Sequence, residues 1–385
     1  MKKMSILNAM AFPLAILVCA CGSPNKPDNG LWWAAAALSR TAAPPAAVLK
    51  PGLKSHIVVT GTQAANVAAR IYFHASVGGI TGGGFINVQN NGGHVAATET
   101  GTGTINILNN GGVVAATNTG SGLMTIVNTA TGALTVINTG NGRVTVTAAG
   151  AEAITLTHTG DDDFIYPPGI ESVPQITLTG NTAADVTPTI VGAGFIRVTN
   201  NGGHVAATVT GSGSMRILNN GAAITSTLTG RGEMNIVNNG GVLTSTNTGD
   251  GIMAINNTAT AAVTVTNTGN GRVTVTAQGS TPVTVAHTGD DDVVFPPPII
   301  YSNIVVTGLT AANVVPTVTG GGSLNILHNG GQTAVTQTGT GTINVVNNGG
   351  VLTATNTGNG IMTIVSTATA AVTVTNTGNG GVTVS

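Results

Sequence analysis

Charged and aromatic side chains are scarce in this 385-residue sequence. Charged residues make up 6% of the chain and aromatic residues 3%, and twelve basic against thirteen acidic residues leave a formal net charge of -1. No basic run could neutralise a row of phosphates, so we expect no nucleic-acid partner. Glycosidic chemistry needs carboxylates or basic groups that converge on an exposed face. The acids Asp185 and Glu233 stand singly at strand starts, and the repeats hold no aromatic platform for sugars, so we expect no enzymatic activity.

Cysteine is nearly absent as well, since the only two, Cys19 and Cys21, lie in the first 21 residues. A disulfide framework therefore does not hold this chain together. Lys2 and Lys3 precede an apolar stretch, residues 9–20, that is too short to cross a bilayer as a helix. This pattern predicts a signal peptide over residues 1–20 and a secreted protein.

The end of that stretch, Val18-Cys19-Ala20-Cys21, resembles the lipobox of bacterial lipoproteins. The resemblance implies that Cys21 becomes the lipid-modified first residue of the mature chain, and that the membrane is a partner through this lipid anchor. Gly22 stands where the family often has the Asp that retains proteins at the inner membrane. The expected location is therefore the outer membrane or the cell surface. Residues 21–54, rich in Pro and Ala, are expected to form a flexible tether.

What the sequence has in abundance is glycine, 56 residues of it, at regular intervals. The recurring unit has 19 or 20 residues, as in 104–122, which reads TINIL, NNGG, VVAAT, NTGSG. Each five-residue segment alternates apolar and polar residues, which is typical of a strand with one buried face. Between them, Asn-Gly turns are expected to supply the positive backbone torsions of a tight reversal. The pattern predicts an all-β protein with two short strands per unit.

Two arrangements satisfy this pattern. In a parallel β-solenoid each unit is one coil, and the two turn types form separate columns. In an antiparallel β-meander each unit is a hairpin, which Asn-Gly turns favour. We favour the solenoid, because a meander would leave its apolar face uncovered.

The repeats fall into three homologous blocks, residues 55–163, 175–292 and 303–385, joined by linkers 164–174 and 293–302. Pro188 and Pro316 occupy the same strand position in the opening coils of the second and third blocks. Since proline is tolerated mainly at a sheet edge or bulge, we expect each block to begin its own sheet. If all the coils did stack, the rod would be roughly 70 Å long.

Two acidic clusters close the first two blocks. Their oxygen ligands suit Ca²⁺, and the rival explanation is a solvated turn that ends a block and keeps its sheet edge from pairing. No other cofactor is expected. The carboxylates concerned are Asp161, Asp162, Asp163, Asp290, Asp291 and Asp292.

Pairs of threonines in T-x-T spacing recur in the second strand of the unit and are expected to point outward. Stacked coils would array their hydroxyls in a lattice, which resembles the flat threonine arrays of ice-binding β-solenoid proteins. Threonine also simply suits an exposed strand position. The candidate ligand or ice-binding face comprises Thr155, Thr157, Thr225, Thr227, Thr244, Thr246, Thr264, Thr266, Thr353, Thr355, Thr373 and Thr375.

Taken together, these features predict a non-enzymatic cell-surface lipoprotein that acts as a rigid spacer or adhesin. In general style it resembles the β-solenoid stalks of bacterial surface proteins, and its surface ligand is not specified by the residues. One alternative is an ice-binding protein. Another is a self-assembling fibre subunit that associates through the C-terminal strand, Val382 to Ser385.

Overall fold

The chain is an all-β protein in which the described residues contain no helix. Its structure, a computed structural model, forms two compact units, residues 1–135 with 140–144 (unit 1) and residues 136–139 with 145–385 (unit 2). The described residues are 15–20, 32–37, 47–48, 55–59, 65–71, 75–80, 84–90, 95–149, 153–160, 176–180, 185–277, 282–288, 304–308, 313–328 and 330–385.

Unit 1 contains strands β1 to β11. β1 pairs antiparallel with β2 and β4, whereas the strands of the repeats pair parallel, as β8 does with β10 and β9 with β11. The strands are β1 (Ala15–Ala20), β2 (Trp32–Ala37), β3 (Ala47–Val48), β4 (Ser55–Val59), β5 (Ala65–Ile71), β6 (Ala75–Ile80), β7 (Gly84–Asn90), β8 (Val95–Glu99), β9 (Thr104–Asn109), β10 (Val114–Asn118) and β11 (Leu123–Asn128). Strands β12 (Leu134–Asn138) and β13 (Arg143–Ala148) contain residues of both units.

Unit 2 contains two parallel sheets of eleven strands each, β14 to β34 in even numbers (sheet A) and β15 to β35 in odd numbers (sheet B). Sheet A consists of β14 (Ile154–His158), β16 (Val186–Ile190), β18 (Val205–Val209), β20 (Ile224–Leu228), β22 (Leu243–Asn247), β24 (Val263–Asn267), β26 (Val283–His287), β28 (Val314–Val318), β30 (Thr333–Gln337), β32 (Leu352–Asn356) and β34 (Val372–Asn376). Sheet B consists of β15 (Ile176–Gly180), β17 (Phe195–Asn200), β19 (Ser214–Asn219), β21 (Glu233–Asn238), β23 (Ile252–Asn257), β25 (Arg272–Ala277), β27 (Ile304–Gly308), β29 (Ser323–His328), β31 (Thr342–Asn347), β33 (Ile361–Ser366) and β35 (Val382–Val384).

The repeats form a parallel β-solenoid, as the sequence predicts. Each strand pairs in register with the strand one coil later, so that Leu243 lies beside Val263 and Thr246 beside Thr266. The antiparallel meander is therefore wrong for the repeats. Its apolar faces would have no cover, whereas in the solenoid the two sheets enclose a common interior.

The interior is filled by the apolar residues of the alternation. Ile236, Val263 and Val265 are at most 1% exposed, whereas the residues that alternate with them along the same strands are half-buried or exposed. Full burial of a Val or Ile side chain stabilises a fold by about 1.5–3 kcal/mol. Because every coil adds several such residues, the buried apolar area and the number of backbone hydrogen bonds between coils both increase with each repeat.

Asparagines close the coils by bonding backbone groups inside the turns. At the end of β22 the buried Asn247 accepts a hydrogen bond from the Gly249 amide at 3.2 Å and donates one to the Gly251 carbonyl at 3.3 Å. At the ends of the sheet B strands the buried asparagines also bond one another. The ladder runs from Asn200 through Asn219 and Asn238 to Asn257.

The turn glycines meet two requirements, the expected positive φ in some turns and a close backbone approach in others. Among the described N-N-G-G-type turns, a positive φ occurs at Gly112, Gly331 and Gly350, each the second glycine of its turn. In the turns that leave sheet A, glycine is required because the backbone of the preceding coil lies too close for a side chain. A Cβ added at Gly249 would lie 2.3 Å from the carbonyl oxygen of Gly230. Glycine recurs there because successive turns stack backbone on backbone.

The expectation that each block begins its own sheet is wrong for unit 2. β14 pairs with β16 across the first linker, and β25 and β26 pair with β27 and β28 across the second. Pro188 and Pro316 are buried and lie beside Leu156 and Val285 on the preceding strands, but the pairing with the following strand skips both prolines. Each proline therefore interrupts one ladder locally, and the sheet resumes at the next residue.

Candidate functional site: an outward threonine array

Sheet A of unit 2 exposes alternate residues of every strand. In β22, Leu243, Ser245 and Asn247 are buried, Thr244 is exposed and Thr246 is half-buried. The same alternation runs through the sheet, and it gives two outward columns, one at the second and one at the fourth residue of each strand. Parallel pairing in register stacks each column along the solenoid.

The fourth-residue column contains threonine in ten of eleven strands. Its single exception, Ala286, lies between Thr266 and Thr317. The column is Thr157, Thr189, Thr208, Thr227, Thr246, Thr266, Ala286, Thr317, Thr336, Thr355 and Thr375.

The second-residue column contains threonine in eight of eleven strands, and its exceptions are small or apolar. It comprises Thr155, Thr187, Ala206, Thr225, Thr244, Thr264, Thr284, Val315, Ala334, Thr353 and Thr373. Neither column contains a charged residue. Together they form the threonine face, as this outer surface of sheet A is called below.

The spacings of the threonine face follow from strand geometry. Neighbouring strands lie about 4.8 Å apart, and residues two apart along a strand are separated by about 6.7 Å. Threonine is β-branched, so its χ1 angle is restricted and its hydroxyl and methyl groups hold defined directions. The result is a regular array of alternating polar and apolar groups.

A third threonine column borders the array, at the residue that follows every strand of sheet A except β16, which is followed by Val191. Several of its hydroxyls donate to a carbonyl of the preceding coil, as Thr210 does to Ile190 at 3.2 Å and Thr357 to Gln337 at 3.4 Å. These bonds fix the side chains while leaving the residues exposed. Sequence reasoning missed this column, although the threonine of the N-T-G turn motif was its signal.

Ten of the twelve predicted threonines lie on adjacent coils of sheet A, in the second-residue and fourth-residue columns, and all ten are exposed or half-buried. They are Thr225, Thr227, Thr244, Thr246, Thr264, Thr266, Thr353, Thr355, Thr373 and Thr375. The remaining two, Thr155 and Thr157, pair with Thr187 and Thr189, which the sequence analysis did not include. Extra residues between β14 and β16 hide this pairing in the sequence, because they lengthen the interval between equivalent threonines from 20 to 32 residues. Other members of the columns were missed because an Ala or Val replaces one threonine of the T-x-T pair.

Three sequence predictions fall on residues outside the described part of the chain. These are lipidation at Cys21 and calcium binding at the two acidic runs, Asp161 to Asp163 and Asp290 to Asp292. His158 and His287, which open those clusters, are fully buried. Within the described residues no three His, Cys, Asp or Glu side chains come together, and no helix is both long and apolar enough to cross a membrane.

No known protein family matches this chain, and neither curated proteins nor solved structures gave a match.

Proposed function

We propose that this chain binds ice through the threonine face. The observation that supports it is the uniformity of that face, in which ten of eleven and eight of eleven positions of two stacked columns are threonine. A partner that repeats in two dimensions, as an ice surface does, is matched by a repeating array of hydroxyl and methyl groups. Each contact is weak, and many of them act together along one rigid surface.

The chemistry of the face suits ordered water. Threonine hydroxyls both donate and accept hydrogen bonds, so they can join a water lattice. The adjacent methyl groups favour water that is already ordered over bulk water, because apolar surface restricts the orientation of its first shell. The absence of charge from both columns of the face leaves no strongly hydrated group to hold water in another arrangement.

The test is ice recrystallisation inhibition and thermal hysteresis of the purified protein. The variant Thr264→Tyr with Thr266→Tyr places two bulky rings on the face at β24, in the longest run of threonines. We expect the wild type to be active and the variant to lose most of that activity, because the rings hold a flat ice surface away from the neighbouring coils.

A matched control lies one strand further along the same repeat. Thr274 and Thr276 of β25 are half-buried outward residues in the same T-x-T spacing, but they lie on sheet B. Their replacement by Tyr should leave the activity unchanged. Inactive wild-type protein with a β-rich circular dichroism spectrum would exclude ice binding, and equal losses in both variants would exclude the threonine face as its site.

A second candidate function is that of a surface-anchored rigid spacer or adhesin without enzymatic activity. The observation in its favour is that the backbone ladders continue across the second linker, where β25 pairs with β27 and β26 with β28. Buried asparagines also form hydrogen bonds from coil to coil. In this proposal Cys21 carries the lipid that holds the protein at the outer membrane or cell surface. Fatty-acid labelling that is lost in a Cys21→Ser variant, together with surface exposure of the wild type to added protease, would support it. Labelling that persists in the variant would contradict the anchor.

A further inference from the structure

Sheet B carries an apolar column on its outer face at β29, β31 and β33. Leu327, Val346 and Val365 are register partners on these consecutive strands. They are 38%, 36% and 38% exposed, and Ile361, the first residue of β33, is 56% exposed on the same face. Exposed apolar residues that stand singly are ordinary on a protein surface, whereas contiguous ones are typical of an interaction surface.

The surroundings of this column are polar but carry no charge. The first, third and fifth residues of β29, β31 and β33 point outward, and together they are called the uncharged patch below. In its middle column Asn344 donates a hydrogen bond to Asn325 at 2.8 Å, so amide groups of this column bond along the sheet. Every charged side chain of the sequence lies before residue 293, so the whole third block is free of charged side chains.

The equivalent positions of β17, β19 and β21 provide the contrast. They also include apolar residues, Leu218 and Val237, each 36% exposed. Beside these, however, stand Arg197, Arg216 and Glu233. A partner that covered those strands would bury charged groups, which costs free energy unless each is paired. The uncharged patch carries no such cost, so an uncharged partner can cover it.

A second copy of the chain offers a surface that fits. Its own patch is equally free of charge and has the same spacing of about 4.8 Å between strands. Two sheets that pack face to face lie about 10 Å apart, and identical columns of side chains interdigitate well between them. A partner with another spacing would match only some of the columns.

We propose that the uncharged patch is a self-association surface through which two copies of the chain pack face to face. The contact is isologous, since each copy presents the same patch, so it closes at a dimer and differs from fibre growth through the C-terminal strand. Three strands of six residues give a patch of roughly 300 Å² per copy, well below the value of about 800 Å² in a stable complex, so the dimer is weak and forms at high concentration. The patch lies on the sheet that the proposed ice face does not use, so neither proposal depends on the other.

The test is sedimentation equilibrium of the full chain from about 10 µM to about 1 mM, where we expect a monomer–dimer equilibrium. Val346→Lys places a charge at the centre of the apolar column, so each dimer would bury two added charges. Dimerisation should weaken by at least about tenfold, because a buried unpaired charge is costly. The matched control is Val237→Lys on β21, where the valine occupies the same column and is equally exposed. That variant should dimerise as the wild type does.

Three outcomes would overturn the proposal. The first is a wild type that stays monomeric over this range, including one that instead binds uncharged phosphatidylcholine vesicles through the patch. The second is an equal loss of dimerisation in Val237→Lys and Val346→Lys. The third is association that persists in a double variant, Val346→Lys with Val365→Lys, that is folded by circular dichroism, because another surface would then hold the copies together.

Discussion

The two outer faces of unit 2 differ sharply although they belong to the same coils. On sheet A the outward columns are almost entirely threonine, and their exceptions are alanine and valine. On sheet B, outward positions hold residues as different as Arg216, Glu233, Ile252 and Leu327. Strand propensity favours threonine equally on both faces, so it does not explain the difference. Uniformity on one face alone indicates a requirement specific to that face, which is why we propose a regular partner such as ice.

The turns repeat the contrast. The turn that leaves sheet A keeps a stacked glycine at each coil, as at Gly230, Gly249 and Gly269, whose backbones touch. The turn that leaves sheet B varies between N-N-G-G and N-T-A-T-A types, and the length difference between 19- and 20-residue units falls there. Between regular coils the change in unit length thus falls on the sheet B side, whereas the two long linkers, which follow β14 and β26, both lie at exits from sheet A.

The largest effect should come from breaking the interior on the sheet B side. The buried side chain of Asn238 makes four hydrogen bonds, with Asn219, Gly240, Gly241 and Asn257. Asn238→Ala leaves the two buried partners, Asn219 and Asn257, unsatisfied at about 1–3 kcal/mol each, so we expect a loss of roughly 2–6 kcal/mol in the free energy of unfolding. Urea denaturation followed by circular dichroism measures it.

The neighbouring asparagine provides the control for that prediction. Asn239 bonds Asn220 at 2.7 Å, but it lies in an exposed ladder where water can replace the lost partner. Asn239→Ala should therefore cost no more than about 1 kcal/mol. Equal losses in the two variants would show that the buried ladder is not what stabilises the sheet B turns.

A smaller loss should follow from disturbing the turn that leaves sheet A. Gly249→Ala places a Cβ 2.3 Å from the Gly230 carbonyl oxygen, and the overpacking should cost about 1–3 kcal/mol. Gly381→Ala is the control, because nothing lies within 4 Å of its added Cβ. Ice assays on Gly249→Ala also test the comparison of the faces, since a shifted turn displaces the adjoining threonine columns.

A pH dependence is expected from His328, which ends β29 with its ring fully buried. Burial lowers the pKa of this histidine, because the charged form is desolvated. The unfolded chain then binds the proton more readily than the folded one, so stability is complete above about pH 6.5 and falls as the pH drops below it. The slope should reach at most about 1.4 kcal/mol per pH unit.

His328→Asn isolates this effect from that of the other histidines. Its register partner Asn347 shows that asparagine fits the same column one coil later. The difference between the urea denaturation curves of variant and wild type should be constant above pH 7 and should change as the pH falls. A difference that stays constant down to pH 4 would contradict the assignment.

Sequence periodicity predicted most of the fold, because alternation and turn motifs act over five to ten residues. It predicted the parallel solenoid, the inward Val and Ile residues, and the outward direction of pairs such as Thr244 with Thr246. It failed where the decisive contact lies one coil away. Pro188 looked like the edge of a sheet because its strand partners were unknown, and Thr187 was missed because an insertion separates it in sequence from Thr155.

The smallest effect on stability is expected from a substitution that completes the fourth-residue column of the threonine face. Ala286 is the single gap in the fourth-residue column, half-buried between Thr266 and Thr317. Ala286→Thr should change the free energy of unfolding by no more than about 0.5 kcal/mol, as surface substitutions usually do. It should still raise ice recrystallisation inhibition, because the column becomes continuous through all eleven strands. Ala254→Thr makes the same change at an outward position of sheet B and should leave the activity as it is. An equal gain in both variants would mean that added threonine acts regardless of face, and the contrast between the two faces would then have no bearing on function.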